Sequence, residues 1–151
     1  RHLTRTAKQA HNWEFIHDQV GYNYRLPNLN AALGCAQMEA LPGYLSRKRI
    51  LADRYHAAFA EMPGVESFAE PDDCKSNYWL NAILLDPADA RMRDDVLQAT
   101  NDAGYMTRPA WRPMHMLPMF ADCPRTSLDV SEDIYARLIN IPSSSQLASR
   151  A

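Results

Sequence analysis

The five glycines of this 151-residue chain stand alone, at positions 21, 34, 43, 64 and 104, and no Gly-x-Gly-x-x-Gly, Walker loop, Gly-x-Ser-x-Gly or His-Glu-x-x-His is present. Those patterns exist because a backbone must approach a phosphate, a nucleophile must sit on a tight turn, or two imidazoles must face one zinc ion. None of these sites is written here in its usual form. Cysteine is equally sparse: Cys35, Cys74 and Cys123 are an odd number at wide spacing, which argues against a disulfide framework or zinc knuckle and for a reducing, cytoplasmic compartment. The longest apolar run, Tyr78 to Leu85, is interrupted by Asn81 and falls far short of the roughly 20 residues that span a bilayer. A formal net charge of −2 makes no electrostatic case for nucleic acid or a membrane surface as partner. The chain opens with Arg1, and the basic stretch Arg1 to Lys8 is not followed by the apolar core of a secretory signal, so it reads as the interior of a longer chain.

What is present is about one domain of helices and short strands. Leu29, Leu33, Ala36 and Ala40 recur at helical spacing, and Pro27 suits a first turn, where its missing N–H is no loss. The small residues Ala31, Ala32, Gly34, Cys35 and Ala36 give this helix a surface that another backbone can approach closely. Pro42-Gly43 reads as its end. Leu51, Tyr55, Ala58 and Met62 predict a second helix up to Pro63-Gly64, with Arg47, Lys48, Arg49 and Arg54 on a solvated face or serving a phosphate or partner subunit. Residues 65–68 and 78–85 read as strands, the second apolar enough to be covered on both sides. Met92, Val96, Ala99 and Ala103 predict a third helix stopped by Gly104 and leading into an extended piece at 105–108. Three prolines between 109 and 118 impose a loop. Asp129 with Glu132 fits a capping box for a short helix through Leu138, residues 139–141 form a last strand, and 143–151 read as a tail. The fold class is α/β, with helices packed on a small mixed or antiparallel sheet.

Candidate chemistry is confined to a few places. His11, Glu14, His17 and Asp18 are metal-ligand types, but neither a helix turn nor a strand presents two histidines six apart to one ion, so no metal site is assigned. Cys35 reads as a core thiol. The segment from Asp18 to Leu26 is a polar and aromatic arm running into a helix start, where Asn23 can donate through its amide and Arg25 can clamp an anion in a planar fork. Such an arm suits a phosphate; taken by themselves, Tyr22, Asn23 and Tyr24 better suit the capping and packing of a helix entry.

Gly21-Tyr22-Asn23-Tyr24-Arg25, followed by Asn30-Ala31-Ala32-Leu33-Gly34 and Ala36-Gln37-Met38-Glu39, resembles the signature of the DegT/StrS-type sugar aminotransferases. The resemblance continues through Ser76-Asn77-Tyr78-Trp79-Leu80-Asn81, the stretch from Thr107 to His115, and Asn140-Ile141-Pro142-Ser143-Ser144. Arg1 to Lys8, with Trp13-Glu14 and His17-Asp18, narrows the likeness toward the branch that aminates 4-keto-6-deoxy sugar nucleotides for legionaminic acid, bacillosamine and related surface glycans. Leu26 stands where many relatives carry Met, a volume-conserving change.

The resemblance implies a fold-type I homodimer that binds pyridoxal 5'-phosphate between a large and a small domain and moves an amino group from glutamate to a keto nucleotide sugar. On that basis residues 1–26 are the active-site arm and interface segment, 27–151 are the C-terminal small domain, and the large cofactor-binding domain lies upstream. The lysine that bonds the cofactor also lies upstream, with a glycine-rich run that none of Lys8, Lys48 and Lys75 possesses, so no catalytic residue is assigned here and the isolated chain is expected to be inactive. Carried over position by position, Asn23 contacts the cofactor phosphate of the neighbouring subunit, Arg25 lies near the substrate diphosphate, and Trp111 and His115 border the sugar-nucleotide pocket. A same-fold dehydratase and a non-catalytic dimerisation or sugar-nucleotide-binding module are the alternatives.

Overall fold

The structure is a computed structural model that describes residues 2–10 and 16–149; Arg1, His11, Trp13 and Glu14, on which the narrower likeness and the metal-ligand cluster draw, lie outside them. The chain divides into two compact units, residues 1–42 and 43–151.

In the first unit the arm is doubled back along the residues that precede it. Backbone N–H groups of Tyr22, Asn23 and Tyr24 donate to the carbonyls of Leu3, Arg5 and Thr4 at 2.9, 2.6 and 2.8 Å, and Gln9 donates to Ile16 at 2.9 Å. Gly21 is required by this close approach, because a Cβ there meets the Thr6 carbonyl carbon at 2.4 Å. His17 and Asp18 are both engaged within the segment: the His17 ring Nδ1 lies 2.6 Å from the Thr6 carbonyl, and the Asp18 carboxylate 2.6 Å from the His2 ring. Among the described residues no group of acidic, histidine or cysteine side chains is arranged to hold a metal ion.

Helix α1 (Asn28–Phe59) is one continuous element that carries Pro42 inside it. The expected break at Pro42-Gly43 does not occur. An internal proline costs about 3 kcal/mol through a lost hydrogen bond and crowding of the preceding turn. The turns beyond it offset that cost, since Leu51 and Ala52 are buried and Tyr55 and Phe59 pack on the sheet core. At the other end the periodic residues Leu29 and Leu33 remain 81% and 63% exposed. Among the described residues no helix is long and apolar enough to cross a membrane.

In the second unit, β1 (Val65–Ser67), β2 (Asn81–Leu85), β3 (Arg108–Pro109) and β4 (Leu138–Ile141) form one antiparallel sheet in the order β1-β2-β4-β3. Asn81 pairs with Ile141 and Ile83 with Ile139, so alternate residues of the two central strands put Ile83, Leu85, Ile139 and Ile141 into a single buried cluster. Tyr55 and Phe59 of α1 and Val96 and Leu97 of α2 (Arg93–Asp102) pack against it. Gly104 ends α2 region as expected, at φ +86. Helix α3 (Asp129–Arg137) starts without the capping box: its N-cap is Leu128 and no side chain caps it. Glu132 instead reaches the ring of His115. The expected tail contains a short 3-10 turn, Ser145–Ser149.

Candidate functional site

The second central strand begins later than its apolar run suggests. Tyr78 takes φ +47, a left-handed conformation that a bulky residue adopts only when its surroundings hold it there. The hold comes from α1. Lys48 Nζ donates to the carbonyls of Tyr78, Trp79 and Ser143 at 3.0, 3.0 and 2.7 Å. One residue on, Arg49 donates two bonds to the Glu70 carboxylate, at 2.8 and 3.1 Å, and a third to the Ser76 carbonyl at 2.7 Å. The Ser76 N–H closes the loop on the same carboxylate. The Arg49 guanidinium and the Ser76 N–H hold the Glu70 carboxyl below its usual range, while burial pushes the Lys48 ammonium below the usual lysine value. The basic cluster of α1 is therefore not a uniformly solvated face: Lys48 and Arg49 are half-buried fasteners.

These fasteners bring three distant sequence motifs to one place. Asn81, from the first, is buried, and its backbone N–H donates to Ser143 Oγ, from the last, at 2.7 Å. Trp79 stacks on Trp111, from the middle one, with ring centroids 6.0 Å apart and planes 24° apart. The two tryptophans are 65% and 71% exposed and form part of the wall of an open cleft of about 910 Å³, whose lining also includes Tyr105, Arg108, Ser143 and Ser144. Stacked aromatic faces with a guanidinium and hydroxyls at the edge are suited to a ring-bearing polar ligand.

Of the residues singled out from sequence, Trp111 lies in this cleft and His115 does not. His115 lines a separate hollow of about 490 Å³ with Cys123 and Arg125, its ring nitrogen 2.8 Å from Glu132. Asn23 and Arg25 sit together in the first unit, Arg25 Nε donating to Asn23 Oδ1 at 2.9 Å. Asn23 occupies the left-handed region at φ +49, which asparagine tolerates well. Their mutual bond leaves the amide NH2 of Asn23 and both terminal NH2 groups of Arg25 without an acceptor among the described residues. The exposed amide NH2 of Asn23 fits the phosphate end of pyridoxal phosphate. Lys48, with all three N–H groups committed to carbonyls, does not fit the lysine that bonds its aldehyde.

Lys48, Trp79 and Ser143 carry no individual role in the sequence reading. Two of them lie within motifs quoted for the resemblance, but Lys48 is 30, 31 and 95 residues from its acceptors, and no local spacing links them.

The small antiparallel sheet with helices packed on it matches the C-terminal part of solved sugar aminotransferases. Against PseC of Helicobacter pylori, an aminotransferase involved in the biosynthesis of pseudoaminic acid, the chain superposes with a TM-score of 0.80 over 97% of its length and 40% of that chain, at 20% identity. Against the aminotransferase TlmJ of Streptoalloteichus hindustanus the TM-score is 0.79, over 97% of this chain and 39% of that one, at 22% identity. At that identity the likeness is one of fold. The sequence matches the model of the DegT/DnrJ/EryC1/StrS aminotransferase family over residues 2–151, and the chain belongs to that family. It is 35% identical over 130 residues to GDP-perosamine synthase of Escherichia coli O157:H7, covering 86% of this chain and 34% of that protein. It is 33% identical over 137 residues to EpsN of Bacillus subtilis (strain 168), named for pyridoxal phosphate-dependent amino transfer, covering 88% and 35%. The chain thus spans about a third of the length of these relatives.

Proposed function

We propose that this chain is the substrate-side and interface-side part of an enzyme that moves an amino group from glutamate to a 4-keto-6-deoxy nucleotide sugar. The observation that carries this reading is the convergence of Trp79, Trp111 and Ser143, from three separate family-like motifs, on one cleft. Pyridoxal 5'-phosphate, when bound, supplies the electron sink for the amino transfer. This chain's own residues bind and orient. Trp111 and the cleft wall border the nucleotide sugar, with His115 in the neighbouring loop. Arg25 offers its terminal NH2 groups to the diphosphate, and Asn23 offers its amide to the cofactor phosphate of the other subunit of a homodimer. In this reading residues 1–26 are the arm and interface segment, residues 27–151 the small domain, and the large cofactor-binding domain with its lysine belongs to the upstream part of a cytoplasmic enzyme. The sugar is one used for surface glycans of the legionaminic acid and bacillosamine type.

Arg25→Ala in the enzyme carrying this chain tests the reading. A charge-assisted contact to phosphate is worth about 1.5–3 kcal/mol, or about 10- to 100-fold in affinity, and only the nucleotide sugar carries a diphosphate. Single-turnover measurements of the two half-reactions are expected to show the loss in the sugar half alone. Equal losses in both would make Arg25 a structural residue of the arm.

A further inference from the structure

Lys48 is absent from the lining of the cleft, yet it governs the backbone from which the wall is built. The carbonyls of Tyr78 and Trp79 belong to the two peptide planes that flank the Trp79 Cα, and both are tied to the same nitrogen at 3.0 Å. With both planes fixed, the direction in which Trp79 leaves the chain is fixed as well. The third bond, to Ser143 at 2.7 Å, joins that turn to the segment after β4, on another stretch of the same lining. Trp79 has no burial of its own to locate it, being 65% exposed. Its remaining backbone bond, from its N–H to Asn77 Oδ1 at 2.9 Å, is local and travels with the loop. The Tyr78 ring is held separately, by the guanidinium of Arg49 and the edge of His56, so release of Lys48 frees the Trp79 peptides while Tyr78 stays docked.

We propose that Lys48 is a positioning residue for nucleotide-sugar recognition: its ammonium draws three carbonyls to one point and so holds Trp79 against Trp111 in the cleft wall. This rests on the reading of the cleft as the nucleotide-sugar side. An ammonium suits the task because its three N–H groups diverge from a single atom, whereas a guanidinium spreads its donors in a plane.

The test is Lys48→Met in the enzyme carrying this chain, with Lys48→Arg beside it. Two stacked indoles give a coupled near-ultraviolet circular dichroism signal, and Trp79→Phe and Trp111→Phe define how much of the spectrum that pair supplies. Lys48→Met is expected to lose most of that signal while the far-ultraviolet spectrum is retained, and to raise KM for the nucleotide sugar about tenfold or more, with KM for glutamate unchanged. Lys48→Arg, which keeps the charge without the three-way geometry, is expected to recover little of the signal. If Lys48→Met fails to fold, Lys48→Arg alone decides, by the same signal. An intact signal in the folded variant overturns the inference even if KM rises, because the route through Trp79 is then not used. A lost signal with both KM values unchanged also overturns the recognition role, and it locates the failure in the reading of the cleft rather than in the tie between Lys48 and Trp79.

Discussion

Ser143→Ala removes one oxygen that three groups share. Ser143 Oγ accepts from the backbone N–H of Asn81 at 2.7 Å and from its side-chain amide at 3.3 Å, and it donates to the Ile141 carbonyl at 2.7 Å. Asn81 is only 5% exposed, so water has little access to the stranded N–H. A buried donor left without a partner costs about 1–3 kcal/mol, and a lost ordinary hydrogen bond about 0.5–1.5 kcal/mol. Because the site lies at the rim of a cleft, part of the loss is recovered by solvent, and a destabilisation of about 2 kcal/mol is expected. With a urea dependence of about 1–3 kcal/mol per molar for a small protein, the midpoint is expected to fall by about 1 M with little change in slope. The assay is equilibrium urea unfolding followed by far-ultraviolet circular dichroism. A midpoint within about 0.2 M of the parent, at the same slope, would refute the claim that this hydroxyl fastens the start of β2 to the end of β4.

Two further outcomes follow from other parts of the chain. Glu70 is held below its ordinary value of 4.5 by its bonds to Arg49 and to the Ser76 N–H, so its contribution to stability is present above 4.5 and disappears as pH falls through the lower folded value; the stability difference between parent and Glu70→Gln is expected to shrink over that acid range, and a difference independent of pH there would contradict it. If Asn23 acts across a twofold interface, subunits carrying Asn23→Ala mixed with subunits lacking the cofactor-bonding lysine are expected to regain about a quarter of the parent activity, whereas activity equal to the mean of the two inactive parents, with heterodimers verified by mass, would make Asn23 a residue of its own subunit's helix entry.

The sheet and the helices behind it are legible in the sequence where periodicity is strong. The run through Val96 shows the helical repeat that packs on the sheet, whereas the apolar run 78–85, which reads as covered on both faces, is fully buried on one: Ile83 and Leu85 join Ile139 and Ile141 in the core, and Ala82 and Leu84 on the other face are only half-buried. The departures have identifiable causes. Pro42-Gly43 reads as a helix end by local chemistry, and burial of Leu51 and Ala52 further along overrides it. Tyr78-Trp79-Leu80 reads as strand because its residues favour sheets, but Lys48 holds that stretch in a turn with Tyr78 in the left-handed region. Asp129 and Glu132 have the spacing of a capping box, yet Glu132 is drawn to His115. Of the site, the motifs that contain Trp79 and Trp111 are both visible in the sequence, but their pairing is not, because stacking across 32 positions of chain leaves no local trace. Loop residues positioned from elsewhere in the fold are the part of a site that spacing alone conveys least well.

Amino transfer itself is read most directly with nitrogen-15. The enzyme carrying this chain, supplied with pyridoxal 5'-phosphate and nitrogen-15 glutamate, is offered a panel of 4-keto-6-deoxy nucleotide sugars and the products are followed by mass spectrometry. The proposed function predicts that the label moves from glutamate into one of these sugars, matched by an equal amount of 2-oxoglutarate. A sugar that loses a hydroxyl without gaining the label would identify a dehydratase instead, and a sugar nucleotide that binds and is returned unchanged would identify a recognition module without amino-transfer chemistry.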